Sequence, residues 1–171
     1  MAIVVVAFGC KKYDEGPGLS LKTKMSRITG EWTIKSWTSN GIDMLNYYAD
    51  YGNITCDGDL LSVIYRNEYI TSKETWTFDK NGDVTVNSIN KDKTLNFSLS
   101  YSLCDDYYDE ETNIYNYKGK WKFSSNKESI EVVFDDSPAD IYNYDIKMLK
   151  SDEMKFEGLM DGELVKFTFN K

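Results

Sequence analysis

The chain has 171 residues, enough for one domain with a core that is stable on its own. A hydrophobic fraction of 41% and an aromatic fraction of 15% argue against disorder, and a net charge of −8 argues against a protein that displaces counterions from nucleic-acid phosphates. Histidine is absent, which removes serine–histidine and cysteine–histidine catalysis and any histidine-ligated metal site, and leaves carboxylates, Lys, Tyr and Cys as acid–base groups.

Residues 1–9 (MAIVVVAFG) form an apolar run that ends in a small residue before Cys10. The run resembles the end of a bacterial lipoprotein signal, whose cleavage leaves Cys10 as a lipidated N-terminus. The alternative is an N-terminal β-strand. Residues 10–18 (CKKYDEGPG) are polar and turn-rich, as a flexible tether would be. Basic then acidic residues directly after the cysteine resemble the surface-export signal of Bacteroidota-type lipoproteins. No stretch approaches the ~18 apolar residues of a membrane-spanning helix.

The remaining residues, 19–171, read as one domain. Leu19–Ile28 is predicted to form a short helix capped by Ser20 and ended by Gly30. The first strand follows, with Trp32, Ile34 and Ser36 on one face and Thr33, Lys35 and Trp37 on the other, before an Asn40-Gly41 turn. Residues 42–59 carry Gly52, Asn53 and Gly58, and read as a long loop with one helical turn that covers one end of the fold. Strands are predicted over 60–66 and 69–79, then a hairpin at Lys80-Asn81-Gly82-Asp83 into residues 84–86. Leu95, Phe97, Leu99, Tyr101 and Leu103 alternate with polar residues, as a strand with one buried face requires. An acidic, tyrosine-bearing loop spans 104–111. Further strands cover 117–124, 129–135, 141–150 and 155–169, the last with a turn at Asp161-Gly162.

Gly30-Glu31-Trp32 matches the G-x-W opening that lipocalins place on their first strand. The runs at 119–123, 130–132, 144–150 and 153–156, with Cys10-Lys11-Lys12-Tyr13 and Arg27-Ile28-Thr29-Gly30, resemble the lipocalin-like lipoproteins of Bacteroidota-type bacteria. The resemblance covers nearly the whole chain. It implies an all-β fold: a lipocalin-like up-and-down antiparallel β-barrel of about eight strands with a short N-terminal helix. It also implies an early tryptophan at the closed end, under a basic side chain from late in the chain, either Lys166 or Lys171.

Eight-stranded barrels are either filled by side chains or hold one small ligand. The inward aromatics Trp76, Phe78, Phe97, Tyr101, Trp121 and Phe123 are the candidates for a ligand pocket, with plain core as the alternative. Tyr47, Tyr48, Tyr107 and Tyr108 would form a wet rim suited to sugar or protein contact. Once Cys10 is lipidated, Cys56 and Cys104 remain as a pair in an oxidising compartment. A bridge between them would close a circuit of about 48 residues, worth roughly 4 kcal/mol in the chain-entropy model. Two separate buried thiols are the alternative.

No cofactor or metal is expected. Asp79, Asn81 and Asp83 have the one-three-five spacing of a calcium loop, but the glycine and distal glutamate do not follow in place. Paired carboxylates such as Asp105 with Asp109 carry no catalytic motif. The expectation is a non-enzymatic outer-membrane lipoprotein, on the periplasmic face or the cell surface, that binds a small apolar or amphipathic molecule or a glycan in the barrel mouth. The alternative is an interaction module, with a filled barrel, that docks onto another envelope protein.

Overall fold

The computed structural model describes residues 23–50, 54–56, 59–61, 66–95 and 108–171, with side chains described for 23–45, 73–91 and 109–171. Helix α1 (Lys24–Ile28) is shorter than the predicted one, and Thr23 rather than Ser20 caps it: the Thr23 side chain accepts from Ser26 N at 3.1 Å. Thr29 is extended, and Gly30, with φ of +117°, turns the chain into strand β1 (Gly30–Ser39).

The segment predicted as a loop with a helical turn is instead strand in four short pieces: β2 (Ile42–Asp43), β3 (Asn46–Asp50), β4 (Ile54–Cys56) and β5 (Asp59–Leu61). β4 and β5 form a separate two-stranded ribbon. β-propensity prevails over the helical reading at Tyr47 and Tyr48, which stand opposite Tyr69 and Glu68 on the next long strand.

The long strands follow in order: β6 (Arg66–Phe78), β7 (Asp83–Leu95), β8 (Tyr108–Phe123), β9 (Ser129–Phe134), β10 (Tyr142–Leu149), β11 (Glu153–Met160) and β12 (Glu163–Asn170). Each pairs antiparallel with the next, β12 pairs with β1, and β1 returns to β6 from Gly30↔Phe78 to Thr33↔Thr75. Eight strands therefore close into an up-and-down antiparallel barrel, as the sequence leads one to expect. Closure pairs each of the eight strands on both sides over part of its length. Asp161-Gly162, between β11 and β12, and Asn40-Gly41, between β1 and β2, both have positive φ at both positions, the backbone that matches the twist of a two-residue hairpin.

Residues 109–111, predicted as part of a loop, continue β8, with Glu110 in register with Lys93. The β7–β8 pairing runs from Asp83↔Lys120 out to Leu95↔Tyr108, whereas β9 meets β8 only over residues 119–123. β7 and β8 thus stay paired beyond the reach of β9, with β6 beside β7 as far as Glu68↔Lys93. The alternating strand predicted over 95–103 lies, beyond Leu95, outside the described residues.

Alternation sends one side chain in two to the interior. Trp32, Ile34, Trp76, Phe78, Val84, Val86, Trp121, Ile130, Val132, Tyr144, Ile146, Met154, Phe156, Val165, Phe167 and Phe169 make one buried cluster. At one end α1 acts as a plug. Ile28 is fully buried, Trp32 Nε1 donates to Ile28 O at 2.6 Å, and Arg27 Nη1 donates to Leu149 O at 2.6 Å. Lys171 lays its ammonium 4.6 Å from the Trp32 ring centroid and donates to Arg27 O and Thr29 O. Of the two lysines left open by the resemblance, Lys171 is therefore the one over the tryptophan, while Lys166 points outward to Glu157 at 3.2 Å.

β1 departs from simple alternation. Its pairing with β12 slips between Ile34 and Ser36, so one extra residue is accommodated there. The expected faces hold up to Ile34 and then exchange: Ser36 is exposed, and Trp37, predicted on the outer face, turns inward.

Candidate functional site

Among the described residues, the end opposite α1 is open. A cavity of about 260 Å³ sits there, lined by Trp37, Trp76, Tyr117, Phe134, Tyr142 and Phe167, with Val86 and Met160 completing the apolar wall. The polar lining is Glu74, Asp136 and Ser137. For scale, an apolar cavity of about 150 Å³ takes benzene, so this one suits a one- or two-ring molecule.

The rings hold one another in place. Trp37 stacks on Phe167 at 5.8 Å between centroids, and Trp76 meets Phe134 edge-on at 6.0 Å and Phe167 at 5.8 Å. Phe134 packs against Tyr117 and Tyr142, and Tyr142 stacks on Tyr144. Behind Trp76 lie Tyr144 and Phe169, at 6.5 and 5.6 Å. A wall of interlocked rings is a preformed surface that loses little side-chain freedom when a ligand arrives.

Glu74 is the unusual member. Two residues before Trp76 on β6, it shares that residue's inward phase and is 8% exposed. Trp76 Nε1 donates to Glu74 Oε1 at 2.7 Å, and Ser88, its cross-strand partner on β7, is a second hydrogen-bonding neighbour. Burial pushes the Glu74 carboxyl above its ordinary pKa, and the Trp76 and Ser88 contacts only partly oppose this. Among the described residues no cation pairs with it.

The field at this end is set by acids. Burial raises the Tyr117 hydroxyl, helped by Tyr115, Asp136 and Glu74. It likewise raises Tyr142, helped by Asp140, Asp161 and Asp136, and it raises Tyr144 furthest, helped by Tyr142, Glu74 and Asp161. All three phenols stay protonated and can donate. Trp37 Nε1 is buried and has no hydrogen-bond partner among the described residues. At the rim, Ser39 donates to Glu163 and Asn40 N donates to Leu164 O, which holds the β1–β2 turn against β12.

Of the residues proposed from sequence as the pocket, Trp76 lines the cavity. Phe78, Trp121 and Phe123 lie toward the plugged end instead. Phe78 meets Trp121 edge-on at 5.4 Å, Trp121 Nε1 donates to Asp79 O, and Phe123 packs on Trp121. All three adjoin the turns at that end, so they serve as core. Phe97 and Tyr101 lie outside the described residues.

Among the proposed rim residues, Tyr47 and Tyr48 are in β3 and Tyr108 begins β8, each described through the backbone alone, and Tyr107 is outside. Cys56 ends β4, while Cys10 and Cys104 lie outside the described residues. Asp79, Asn81 and Asp83 are engaged internally: Asn81 Nδ2 donates to Asp83 at 2.6 Å, and Asp83 pairs with Lys120. No group of acidic or thiol side chains among the described residues is placed to hold a metal.

The sequence reading missed Trp37, Glu74, Tyr117, Phe134, Asp136, Ser137, Tyr142 and Phe167. The signal for Glu74 was present, since a charged residue in phase with Trp76 and Phe78 must face inward. Chemically, the cavity can sandwich a ring, exclude water from it, and accept hydrogen bonds from its polar end. No family model, curated protein or solved structure matches this chain.

Proposed function

We propose that this barrel is a binding protein that takes one small amphipathic molecule into its open end. The observation that carries the reading is the cavity itself: a mouth walled by aromatic rings, with two carboxylates and a serine as its polar groups. A barrel acting only as a docking module would have that volume filled. The proposal keeps the wider expectation with it: a non-enzymatic, lipocalin-like lipoprotein, anchored through Cys10 to the outer membrane. Support for the family is the closed eight-stranded topology and Lys171 over Trp32, and support for the anchor is the apolar run before Cys10.

Calorimetric titration with a neutral two-ring probe, indole-3-ethanol, tests the reading. Saturable binding of one molecule per chain is expected, and it should vanish in Met160→Trp, which fills the cavity from the β11–β12 end. Binding that is absent, or unchanged in a folded Met160→Trp, contradicts it.

A further inference from the structure

Glu74 poses a problem that the cavity solves. A carboxylate taken out of water without a cationic partner is costly, and the usual remedies are protonation or pairing. Among the described residues, Trp76, Ser88, Tyr117 and Tyr144 stand near Glu74, with Asp136 across the cavity, and none of these is basic. Four lysines of the barrel wall are paired on its outside: Lys122 with Glu131, Lys147 and Lys166 with Glu157, and Lys120 with Asp83.

The rest of the lining points the same way. Aromatic rings attract cations through their negative faces, most strongly when water is excluded, and a mouth flanked by Asp136, Asp140 and Asp161 raises the local concentration of cations. Acid, rings and negative rim are complementary to one chemical class and repel its opposite.

We infer that the natural ligand is a protonated amine carried on an aromatic or short apolar group, with its ammonium donating to Glu74 and its apolar part held among Trp37, Trp76, Phe134 and Phe167. This deepens the binding reading above and rests on it. The ammonium supplies the cationic partner that Glu74 lacks among the described residues, and the size of the cavity limits the apolar part to about two rings. Ser137 and Asp136 at the mouth are left to take further polar hydrogens of the ligand.

Three probes on one skeleton separate the inference from its basis: tryptamine (cation), indole-3-ethanol (neutral) and indole-3-acetate (anion), each titrated calorimetrically into the wild-type chain and into Glu74→Gln. The expected order is tryptamine, then indole-3-ethanol, then indole-3-acetate, with tryptamine tighter than the neutral probe by about tenfold or more. Glu74→Gln should erase most of that preference, read within the variant as the ratio of its tryptamine to its indole-3-ethanol affinity. Equal affinity for all three, or a preference for the neutral or anionic probe, overturns the amine and leaves the binding reading standing. Failure of all three to bind overturns both. A preference that survives unchanged in Glu74→Gln overturns the role of Glu74.

Discussion

The Lys171 ammonium lies 4.6 Å from the centre of the Trp32 ring, and it also donates to two carbonyls at the end of α1, Arg27 O at 3.3 Å and Thr29 O at 3.1 Å. One side chain from the last position of the chain therefore ties the plug helix to the first barrel strand. It supplies the cation that a helix C-terminus favours, and it covers a tryptophan that is itself bonded to Ile28 O.

Lys171→Met keeps the aliphatic stem and removes the charge. It should lower stability by about 1 kcal/mol, read as a fall in urea midpoint at unchanged slope. Lys166→Met is the comparison: it breaks an outer-wall pair with Glu157 and should cost no more than about 0.5 kcal/mol. Equal effects from the two would mean that the contact with Trp32 contributes nothing beyond a surface charge.

Gly119 on β8 faces a strand crossing with no room to spare. A methyl group there would run into the Val133 carbonyl oxygen and the Phe134 Cα, both backbone, so neither can swing aside. Gly119→Ala should destabilise the barrel by roughly 2 kcal/mol through overpacking. Gly162→Ala, at a turn with open space around the added carbon, carries only the strain of its φ of +84°. Thermal melts of the two variants should rank Gly119→Ala as the less stable.

Glu74 predicts a dependence of stability on pH. Its carboxyl holds a proton more tightly in the folded barrel than in the unfolded chain. Its contribution is therefore fully present below its ordinary value of 4.5 and is lost as the pH rises through the higher folded value. The neighbours that face it are Trp76 on its own strand, Ser88 on β7, Tyr117 on β8, Tyr144 on β10 and Asp136 beyond β9; the phenols stay protonated in this range. Glu74→Gln keeps an oxygen for Trp76 Nε1 and has no proton to lose. In denaturant titrations the variant should match the wild type near pH 4 and exceed it in stability near pH 8. A wild type that gains on the variant as pH rises would reverse the assignment.

An ammonium bound at Glu74 reverses that balance, because it stabilises the charged carboxylate. Uptake of tryptamine at a pH between the ordinary value of Glu74 and its raised folded value should therefore release a proton, seen as a binding enthalpy that varies with the ionisation heat of the buffer. Indole-3-ethanol should show no such variation. Buffer-independent heats for both probes would place the ammonium away from Glu74.

The barrel was largely legible in the chain because hairpin follows hairpin. The turns Asn81-Gly82 and Asp161-Gly162 mark themselves, and sequential antiparallel strands then have few ways to close. The site was less legible, for three physical reasons. Trp37 faces the cavity because of a slip in pairing between Ile34 and Ser36, which no Gly or Pro announces. Height along the barrel is set by register across strands: Trp76 and Phe78 share a face, yet only Trp76 reaches the open end, because Phe78 pairs with Gly30 beside the plug. Tyr117, Phe134 and Tyr142 converge from three strands and so have no signature within any one of them. Glu74 was within reach of the alternation argument, had that face been followed one residue further toward the mouth.

In the proposed binding mode a ligand enters at the open end and not at the plugged end, and the four tryptophans divide evenly between the two. Trp37 and Trp76 line the cavity, while Trp32 and Trp121 sit by α1 and the Asp79 turn. Fluorine NMR of the 5-fluorotryptophan-labelled chain, titrated with indole-3-ethanol, reads each site separately. The account predicts that the resonances of Trp37 and Trp76, assigned by Trp→Phe substitution, shift saturably while those of Trp32 and Trp121 stay still. Shifts at Trp32 or Trp121 with Trp37 and Trp76 unmoved would contradict it.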